Sequence, residues 1–462
     1  MSGPRQAVVH EARSQSTSTY PQSPPRPLES AYWEPDATPA SVRPRLLGGP
    51  AADFGAETFP EHMKRLGPVP RRRPQDIVEI VHRAALRGRG GAGFPMALKM
   101  SAVAAQGGDP LIVVNAAESE PASRKDRLLV TLRPQLLLDG AAVAAAATGA
   151  GQAVIYLHSG DDVAAATLET ALLERTSTTF DDPTFRIAYG PPRFVAGESS
   201  AIVSFLEGGL AKPRHGHRSS TSGVDGRPTL IQNAETAAHL ALLARGGPDW
   251  FREAGTPRWP GSILATLAGG VASPGLVVEL SRPRPFSELL GGVGGLDRPP
   301  RAVLVGGYGG AWVDGERAWD MPFYPDTLAD RRLPFGCGLV AALPHGHCGI
   351  AETARILAYL AEESARQCGA CMFGLPQLAR TLRRLADGDA SRGELRRFAK
   401  QAESIEGSGA CGHPDGTVRM AMSALQCFAD DVALHLSGRP CPTSARRGLL
   451  PIPPPEHRTG WR

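Results

Sequence analysis

Short β-branched runs and longer stretches with helical spacing alternate along the middle of the chain, and this alternation constrains the fold more than any other feature. Strand-like runs occur at 111–114, 153–157 and 185–188, and apolar residues at helical spacing occur at 77–85 and 162–173. Strands that alternate with helices are typical of βαβ units and a largely parallel sheet. The sequence therefore predicts an α/β domain over residues 74–245.

The regions on either side of this domain differ in composition. Residues 1–73 are dominated by Pro, Ser, Thr and Arg, and we expect them to be disordered or extended, because they bury too little apolar surface to offset the entropy of ordering. Residues 258–313 contain short apolar runs split by Gly and Pro turns, which favours a small α+β module. Residues 335–437 have the i, i+3, i+4 apolar spacing of helices, and residues 438–462 are expected to form a loose tail.

Composition excludes several classes of protein. With 42% hydrophobic and 21% charged residues, the 462-residue chain can bury real cores, so a wholly disordered protein is excluded. A net charge of +4 gives no argument for binding nucleic acid. No apolar run approaches the roughly 18 residues of a spanning helix, and the N-terminus lacks the apolar core of a secretory signal. We expect a cytoplasmic protein without membrane insertion.

A glycine-rich segment follows the first predicted helix. Gly88-x-Gly90-x-x-Gly93 has the spacing of a dinucleotide-binding loop, but that loop should follow a strand, so the spacing alone is weak and a plain turn is an equal interpretation. Its clustered backbone N–H groups are suited to approach a phosphate. Lys99, which lies six residues beyond Gly93, could supply a counter-charge.

Three further polar segments occur in the same predicted domain. They are Asn115–Arg127, Gly197–Ser200 and Gln232–Thr236, and each taken alone is more typical of a helix cap or a turn than of a site. The first follows a strand, and ligands of α/β sheets bind at the carboxyl ends of strands. Several such segments in one domain favour a site.

All seven cysteines lie between residues 337 and 441. An odd number confined to one end of the chain is poor disulfide material and favours a metal or cluster site. Cys368 and Cys371 form a Cys-x-x-Cys motif, and Cys411 follows about forty residues later. Together with His413 these thiols would also suit zinc, or they could be small buried hydrophobic residues. Cys337, Cys348, Cys427 and Cys441 are interpreted by default as core or loop thiols.

Taken together, these motifs resemble the F subunit of bacterial complex I and its relatives in hydrogenases and formate dehydrogenases. The resemblance covers residues 74–437 and rests on the Gly-rich loop, Asn115 to Arg127, Gly197-Glu198, Asn233 with Glu235-Thr236, and Glu363-Ser364 ahead of Cys368-x-x-Cys371. It implies a Rossmann-like FMN-binding domain, a small ubiquitin-like SLBB α+β module and a C-terminal helical bundle that holds a 4Fe-4S cluster.

The resemblance also implies specific site residues. Glu198 would be the catalytic residue near the flavin, Phe94 would stack on the nicotinamide dinucleotide, and Cys368, Cys371 and Cys411 would ligate the cluster. The fourth ligand could be His413, Glu406, Cys348 or Cys427, or it could be absent. The remaining residues at positions of the FMN pocket are Gly88, Gly90, Gly91, Lys99, Asn115, Glu118, Gly197 and Asn233.

The chain departs from the family pattern at several of its motif positions. Ala117 and Ser199 replace acidic residues, Ala102 replaces an aromatic residue, Ala365 replaces the first cysteine of the cluster motif, and Glu406 replaces the last. These changes leave two functions open. The first is oxidation of NADH through FMN, with electrons passed through the cluster to a quinone-linked or ferredoxin-type acceptor within a redox complex. The alternative is a non-catalytic scaffold or docking subunit with degenerate sites.

Overall fold

The computed structural model describes residues 44–51, 55–176, 182–439, 441, 448–455 and 460–461. The helices are α1 Phe59–Leu66, α2 Pro74–Ala84, α3 Met96–Ala104, α4 Lys125–Leu132, α5 Pro134–Thr148, α6 Asp162–Thr176, α7 Ser199–Leu206, α8 Ala234–Arg252, α9 Gly315–Trp319, α10 Pro325–Ala329, α11 Gly349–Glu362, α12 Leu375–Ala386, α13 Arg392–Ile405, α14 His413–Cys427 and α15 Ala429–Leu436. The strands are β1 Leu111–Asn115, β2 Gln152–His158, β3 Thr184–Gly190, β4 Thr229–Asn233, β5 Ile263–Gly269, β6 Val277–Leu280, β7 Arg284–Pro285, β8 Ala302–Val305, β9 Ala311–Asp314, β10 Pro322–Phe323 and β11 Leu339–Leu343.

The first sheet is parallel and has the order β3-β2-β1-β4. The central strand β1 is a continuous apolar run, as expected where helices cover both faces of a sheet. Helices α5 and α8 pack so closely that a Cβ atom at Gly140 would collide with the carbonyl of Ala237. Glycine at this position therefore permits the contact. The predicted α/β fold is confirmed.

The second sheet has the order β6-β5-β11-β8-β9, and here one prediction was wrong. Residues 335–437 were expected to be helical, but β11 lies within that range and pairs in parallel with β5 and antiparallel with β8. Its five residues are all buried, so a short apolar run closes the centre of a sheet whose other strands come much earlier. Helices α11 to α15 form the remainder of this region. The expectation of an SLBB module stays a prediction.

Both predicted loose segments are partly ordered. Residues 44–51 contain the buried Leu46, and the Glu279 carboxylate fixes them by accepting the backbone N–H groups of residues 45–47. Residues 55–73 contain helix α1, which a capping box at Thr58 begins. In the C-terminal segment, Leu450 is buried and its backbone N–H donates to Glu352 at 2.8 Å. Residues 1–43 lie outside the described residues.

In the part of the chain that the structure describes, no single helix is both long and apolar enough to cross a membrane. One combination meets the criteria of length and composition, namely the pair α4 and α5, which is bent by 97°.

Candidate functional site

The carboxyl ends of β1 and β4 form the centre of the candidate site. Strand β2 lies on one side of β1, whereas β4 lies on the other side, so the order in which strands are added to the sheet reverses between β1 and β4. Ligands of open α/β sheets bind at such a switch point. Asn115 and Asn233 are the last residues of the two strands and are direct partners in the register.

The Gly-rich loop lies over the end of β4. It runs from α2 to α3, and the Arg89 N–H donates to Thr236 Oγ1 at 2.8 Å. A Cβ atom at Gly90 would lie 3.3 Å from the Cβ atom of Asn233, so the backbone of the loop approaches the strand end closely. The φ angle of Gly91 is +104°, a conformation that favours glycine. Phe94, at the end of the loop, is 49% exposed.

Lys99 extends from α3 towards the same strand. Its Nζ donates to the carbonyl of Ile231 at 3.3 Å. Burial lowers the pKa of Lys99, while the Glu198 carboxylate opposes this shift. This cation has one backbone acceptor and one carboxylate nearby, so it is available to an anionic ligand at this edge of the sheet.

A buried charged network holds Asn233. Its Nδ2 donates to Asp126 at 2.8 Å, and its Oδ1 accepts from Lys125 at 3.3 Å and from the Glu235 N–H at 3.1 Å. Lys125 Nζ also contacts Asp126 at 2.9 Å and Glu235 at 3.0 Å. Burial acts to lower the pKa of Lys125, but these carboxylates outweigh it and raise that pKa.

The network therefore orients Asn233 and occupies both ends of its amide group. Lys125, Asp126 and Glu235 were not among the predicted site residues. The signal that could have found them is that Lys is rare in this Arg-rich chain, so a retained Lys beside an Asp is informative.

Asn115 is fixed by a contact across the site. Its Nδ2 donates to the carbonyl of Gly197 at 2.8 Å. A Cβ atom at Gly197 would collide with Ser119 Oγ, so glycine lets the segment before α7 approach the end of β1. Ser119 Oγ in turn lies 3.0 Å from His158 Nε2 at the end of β2.

Two carboxyl groups below the site are protonated more readily than usual. Burial and the neighbouring Asp126 raise the pKa of Glu118 to about 7, and Glu118 accepts the Asp126 N–H at 2.8 Å. Burial raises the pKa of Glu120 to about 8, and Glu120 accepts the N–H of Tyr308 at 2.9 Å. Carboxyl groups with strongly raised pKa values cluster at functional sites.

Glu198 is exposed and caps helix α7. Its carboxylate accepts from the N–H of Ser200 at 2.8 Å and from that of Ala201 at 3.2 Å, as is typical of an N-cap. Its charge also acts on both Lys99 and Cys411, so it lies near the end of the sheet and near the cysteines.

The three predicted cluster cysteines meet in space. Cys371 lies in the turn before α12, and its thiol contacts that of Cys368. Cys411 precedes α14 and lies near both. Burial acts to raise the pKa of Cys368, but backbone N–H groups of Ala410, Cys371 and Ala370 outweigh it and lower the pKa. Hydrogen bonds to sulfur are among the means by which proteins tune iron–sulfur centres.

The proposed fourth ligands are not equally placed. Glu406 is exposed at the end of α13, and Cys427 ends α14 beside Asp314 and Arg301. Cys348 faces His435 instead, at 3.3 Å. The first position of the family motif is the buried alanine Ala365, which offers no thiol.

The zinc interpretation of these cysteines fits the geometry poorly. Tetrahedral zinc with Zn–S bonds of about 2.3 Å holds its ligands about 3.8 Å apart. Among the described residues, the only group of three such side chains whose ligand atoms lie within 4.8 Å of one another is elsewhere, and His413 Nε2 pairs with the carbonyl of Leu360 at 2.8 Å. The three thiols are better suited to a cluster that is larger than a single zinc ion. Its fourth ligand would not come from a cysteine of the family motif.

The β1–β4 edge fits an anionic flavin. Gly90 and Gly197 let two backbone segments approach the strand ends closely, and Lys99 adds a cation. The segment Phe194–Gly197 joins this edge to the cysteines. The ring of Phe194 lies 5.5 Å from that of His413, and its N–H donates to Glu363 at 2.8 Å.

Comparison with known families gives two matches within the chain. The Nuo51 FMN-binding domain matches residues 81–242, and the iron-sulfur binding region of NADH-ubiquinone oxidoreductase F matches residues 351–435. The first includes the Gly-rich loop and both strand ends, and the second includes Cys368, Cys371 and Cys411.

Whole-chain comparisons agree. The F 2 subunit of NADH-quinone oxidoreductase in Rhizobium meliloti is 32% identical over 384 residues, which cover 80% of this chain and 90% of that one. The F subunit of the Escherichia coli enzyme is 30% identical, with coverage of 78% and 84%. A solved structure of an NAD+-reducing NiFe hydrogenase has a TM-score of 0.73 and 29% identity, and the match covers 79% of this chain and 63% of the hydrogenase chain. The chain therefore belongs to the family of NADH-quinone oxidoreductase F subunits.

Proposed function

We propose that this chain is the electron-input subunit of a redox complex, which oxidises NADH at a bound FMN and passes electrons to a 4Fe-4S cluster. The observation that carries the proposal is the link between the two sites. Glu198 directly follows the segment Phe194–Gly197, and the ring of Phe194 packs against that of His413. The charge of Glu198 acts on both Lys99 and Cys411. This closeness of Lys99, Glu198 and Cys411 supports electron transfer between the proposed flavin site and the proposed cluster.

FMN, when bound, supplies the exchange between two-electron and one-electron chemistry. The Gly88–Gly93 loop and Lys99 would hold its phosphate, since backbone N–H groups and an ammonium group are suited to an anion. Asn115 and Asn233 would donate to polar groups of the ligand through the second Nδ2 hydrogen of each amide, since the first is used within the protein. Asn233 is already oriented by Lys125 and Asp126, so its position does not need to be rebuilt on binding.

Two exposed side chains are suited to the nucleotide. Phe94 offers an aromatic face at the end of the loop, where stacking is worth about 0.5–1.5 kcal/mol beyond burial. Glu198 is close enough to Lys99 for its charge to act on that group, and we assign this charge a role in setting the flavin potential or the release of the oxidised nucleotide.

Cys368, Cys371 and Cys411 would hold the cluster. Backbone N–H groups directed at Cys368 favour its thiolate form, which is the form that ligates iron. The electron acceptor that we propose is a ferredoxin-type or quinone-linked partner in the same complex. The cytoplasmic location expected from the sequence stays a prediction.

The decisive experiment is an anaerobic absorption spectrum of the purified protein before and after addition of NADH. We expect flavin bands over a broad iron–sulfur shoulder, and both should bleach. A flavin that stays oxidised with NADH and with NADPH would overturn the dehydrogenase proposal.

One observation favours the second candidate function, a non-catalytic scaffold. Ala365 is buried at the position of the first family cysteine, so the cluster motif is incomplete. Protein that shows no visible bands after reconstitution with FMN, iron and sulfide would support the scaffold.

A further inference from the structure

A second group of metal-ligating side chains lies in the C-terminal region. The ligand atoms of Cys348, His435 and Cys441 all lie within 4.8 Å of one another, and all three residues are buried. Cys348 Sγ lies 3.3 Å from His435 Nε2 and also contacts the thiol of Cys441. No other described residues form so compact a group.

Three separate elements bring this group together. Cys348 is the N-cap of α11, where its sulfur accepts the Ala351 N–H at 3.3 Å. His435 is in the last turn of α15, and Cys441 follows that helix. The group thus joins residues that are about ninety positions apart in the chain.

The group is distinct from the proposed iron–sulfur site. Cys348 precedes the first residue of α11. Cys371 lies beyond the opposite end of this helix, where its carbonyl accepts from Ser364 Oγ at 3.3 Å. Since α11 has 14 residues, its ends are about 21 Å apart.

The surroundings of the group suit a metal ion. His435 Nδ1 is buried and lacks a well-aligned hydrogen-bond partner in the described structure, while its ring lies beside the carbonyls of Leu385 and Ala386. Histidines that ligate a metal commonly direct their second nitrogen at such a carbonyl, which fixes the tautomer. Asp431 accepts the Gly349 N–H at 3.3 Å and pairs with Arg301 at 2.7 Å, which stiffens the surrounding backbone.

We propose that Cys348, His435 and Cys441 bind a zinc ion. Two thiolates and one imidazole form a zinc ligand set, and the fourth position would be taken by water or another small ligand. Binding releases the two thiol protons to solvent, so that one Zn²⁺ is matched by two thiolate charges. Because the group is buried, the ion acts structurally and attaches the segment after α15 to the start of α11.

The test is the metal content of the purified full-length protein, measured by mass spectrometry for zinc and iron together. We expect about one zinc per chain, in addition to cluster iron. Cys441→Ser and Cys348→Ser should lose zinc and retain flavin, while Cys427→Ser is the matched control and should keep its zinc. Cys371→Ser should lose iron without losing zinc, which separates this proposal from the proposed function.

Substitution by cobalt gives a second measurement. Protein loaded with Co²⁺ should show thiolate-to-cobalt absorption that is absent from Cys441→Ser, a variant whose substitution lies outside the helices. Wild-type protein that binds no zinc after zinc addition would overturn the proposal. So would a native mass two hydrogen atoms lighter under non-reducing conditions with the loss mapped to Cys348 and Cys441, because that result would mean a disulfide.

Discussion

Lys99 is a partly buried ammonium group that contacts one backbone carbonyl and lies near the Glu198 charge. Charged hydrogen bonds contribute about 1.5–3 kcal/mol, so Lys99→Met should weaken FMN binding about ten- to a hundredfold. Titration of the apoprotein with FMN, followed by flavin fluorescence, measures this change. Lys400→Met is the control, because Lys400 is exposed on α13. Equal affinity of the two variants would refute the assignment of Lys99 to the phosphate.

Glu120 gives the protein a pH dependence with a definite sign. Its folded pKa, raised to about 8 by burial, exceeds the ordinary value, so the folded state holds a proton that the unfolded state releases. The stability contributed by this group is complete below about pH 4.5 and is lost progressively as the pH rises to about 8.

Glu120→Gln removes that titration and keeps an acceptor for the Tyr308 N–H. We expect the melting temperature of the variant, relative to wild type, to increase from pH 5 to pH 8. Glu316→Gln, exposed on α9, should show a constant difference over this range. A constant difference for Glu120→Gln as well would show that Glu120 is ionised in the folded protein at neutral pH.

At the scale of elements, Glu198 has two roles that substitutions can separate. Glu198→Ala removes the cap of α7 and should cost about 0.5–2 kcal/mol of stability, whereas Glu198→Gln keeps an acceptor and removes the charge. If the charge acts on nucleotide release or flavin potential, Glu198→Gln should change the rate of flavin reduction by NADH in stopped-flow measurements. Ser391→Ala, which removes the cap of α13, should lower stability and leave this rate unchanged. Wild-type kinetics in Glu198→Gln would reject the electrostatic role.

The turn from Ser364 to Gly374 has one thiol fewer than the family motif. Ala365→Cys would restore the missing position, and we expect higher iron content after purification and slower cluster loss in air. Iron and sulfide analysis with a time course of the visible absorbance measures both. Ala354→Cys, a buried position within α11, controls for an added thiol. No gain over this control would show that the fourth ligand comes from another direction.

At the scale of the whole molecule, a buried ion pair joins the flavin domain to the helical region. Arg193 Nε lies 3.0 Å from the fully buried Glu363 carboxylate. Removal of one partner of a buried pair costs about 3–5 kcal/mol, so Arg193→Met should lower the melting temperature markedly and weaken the docking of the two regions. Arg383→Met breaks an exposed pair with Asp387 and should cost at most about 1 kcal/mol. Similar unfolding curves for both variants in calorimetry would contradict a role of this pair in docking.

Local patterns predicted three of the four strands of the first sheet, β1, β2 and β3, but strand β4 (Thr229–Asn233) was not among the predicted strands. They failed where the fold depends on distant partners. The short apolar run of β11 does not by itself distinguish a strand from part of a buried helix. Its pairing with β5 and β8 makes it a strand. Likewise, the order of residues 44–51 depends on Glu279, more than 200 positions away, and nothing local indicates it. The network around Asn233 was partly visible as charged residues in known motifs, but its connections required the structure.

The position of β11 has a consequence for the synthesis of this protein. Strands β5, β6, β8 and β9 leave the ribosome before the strand that joins them, so the inner edges of β5 and β8 stay unpaired until residue 343 has emerged. At translation rates of about 5–20 residues per second, this interval lasts on the order of seconds. Unpaired strand edges are templates for aggregation, so chaperone demand during translation should peak as the segment between β8 and β11 is made.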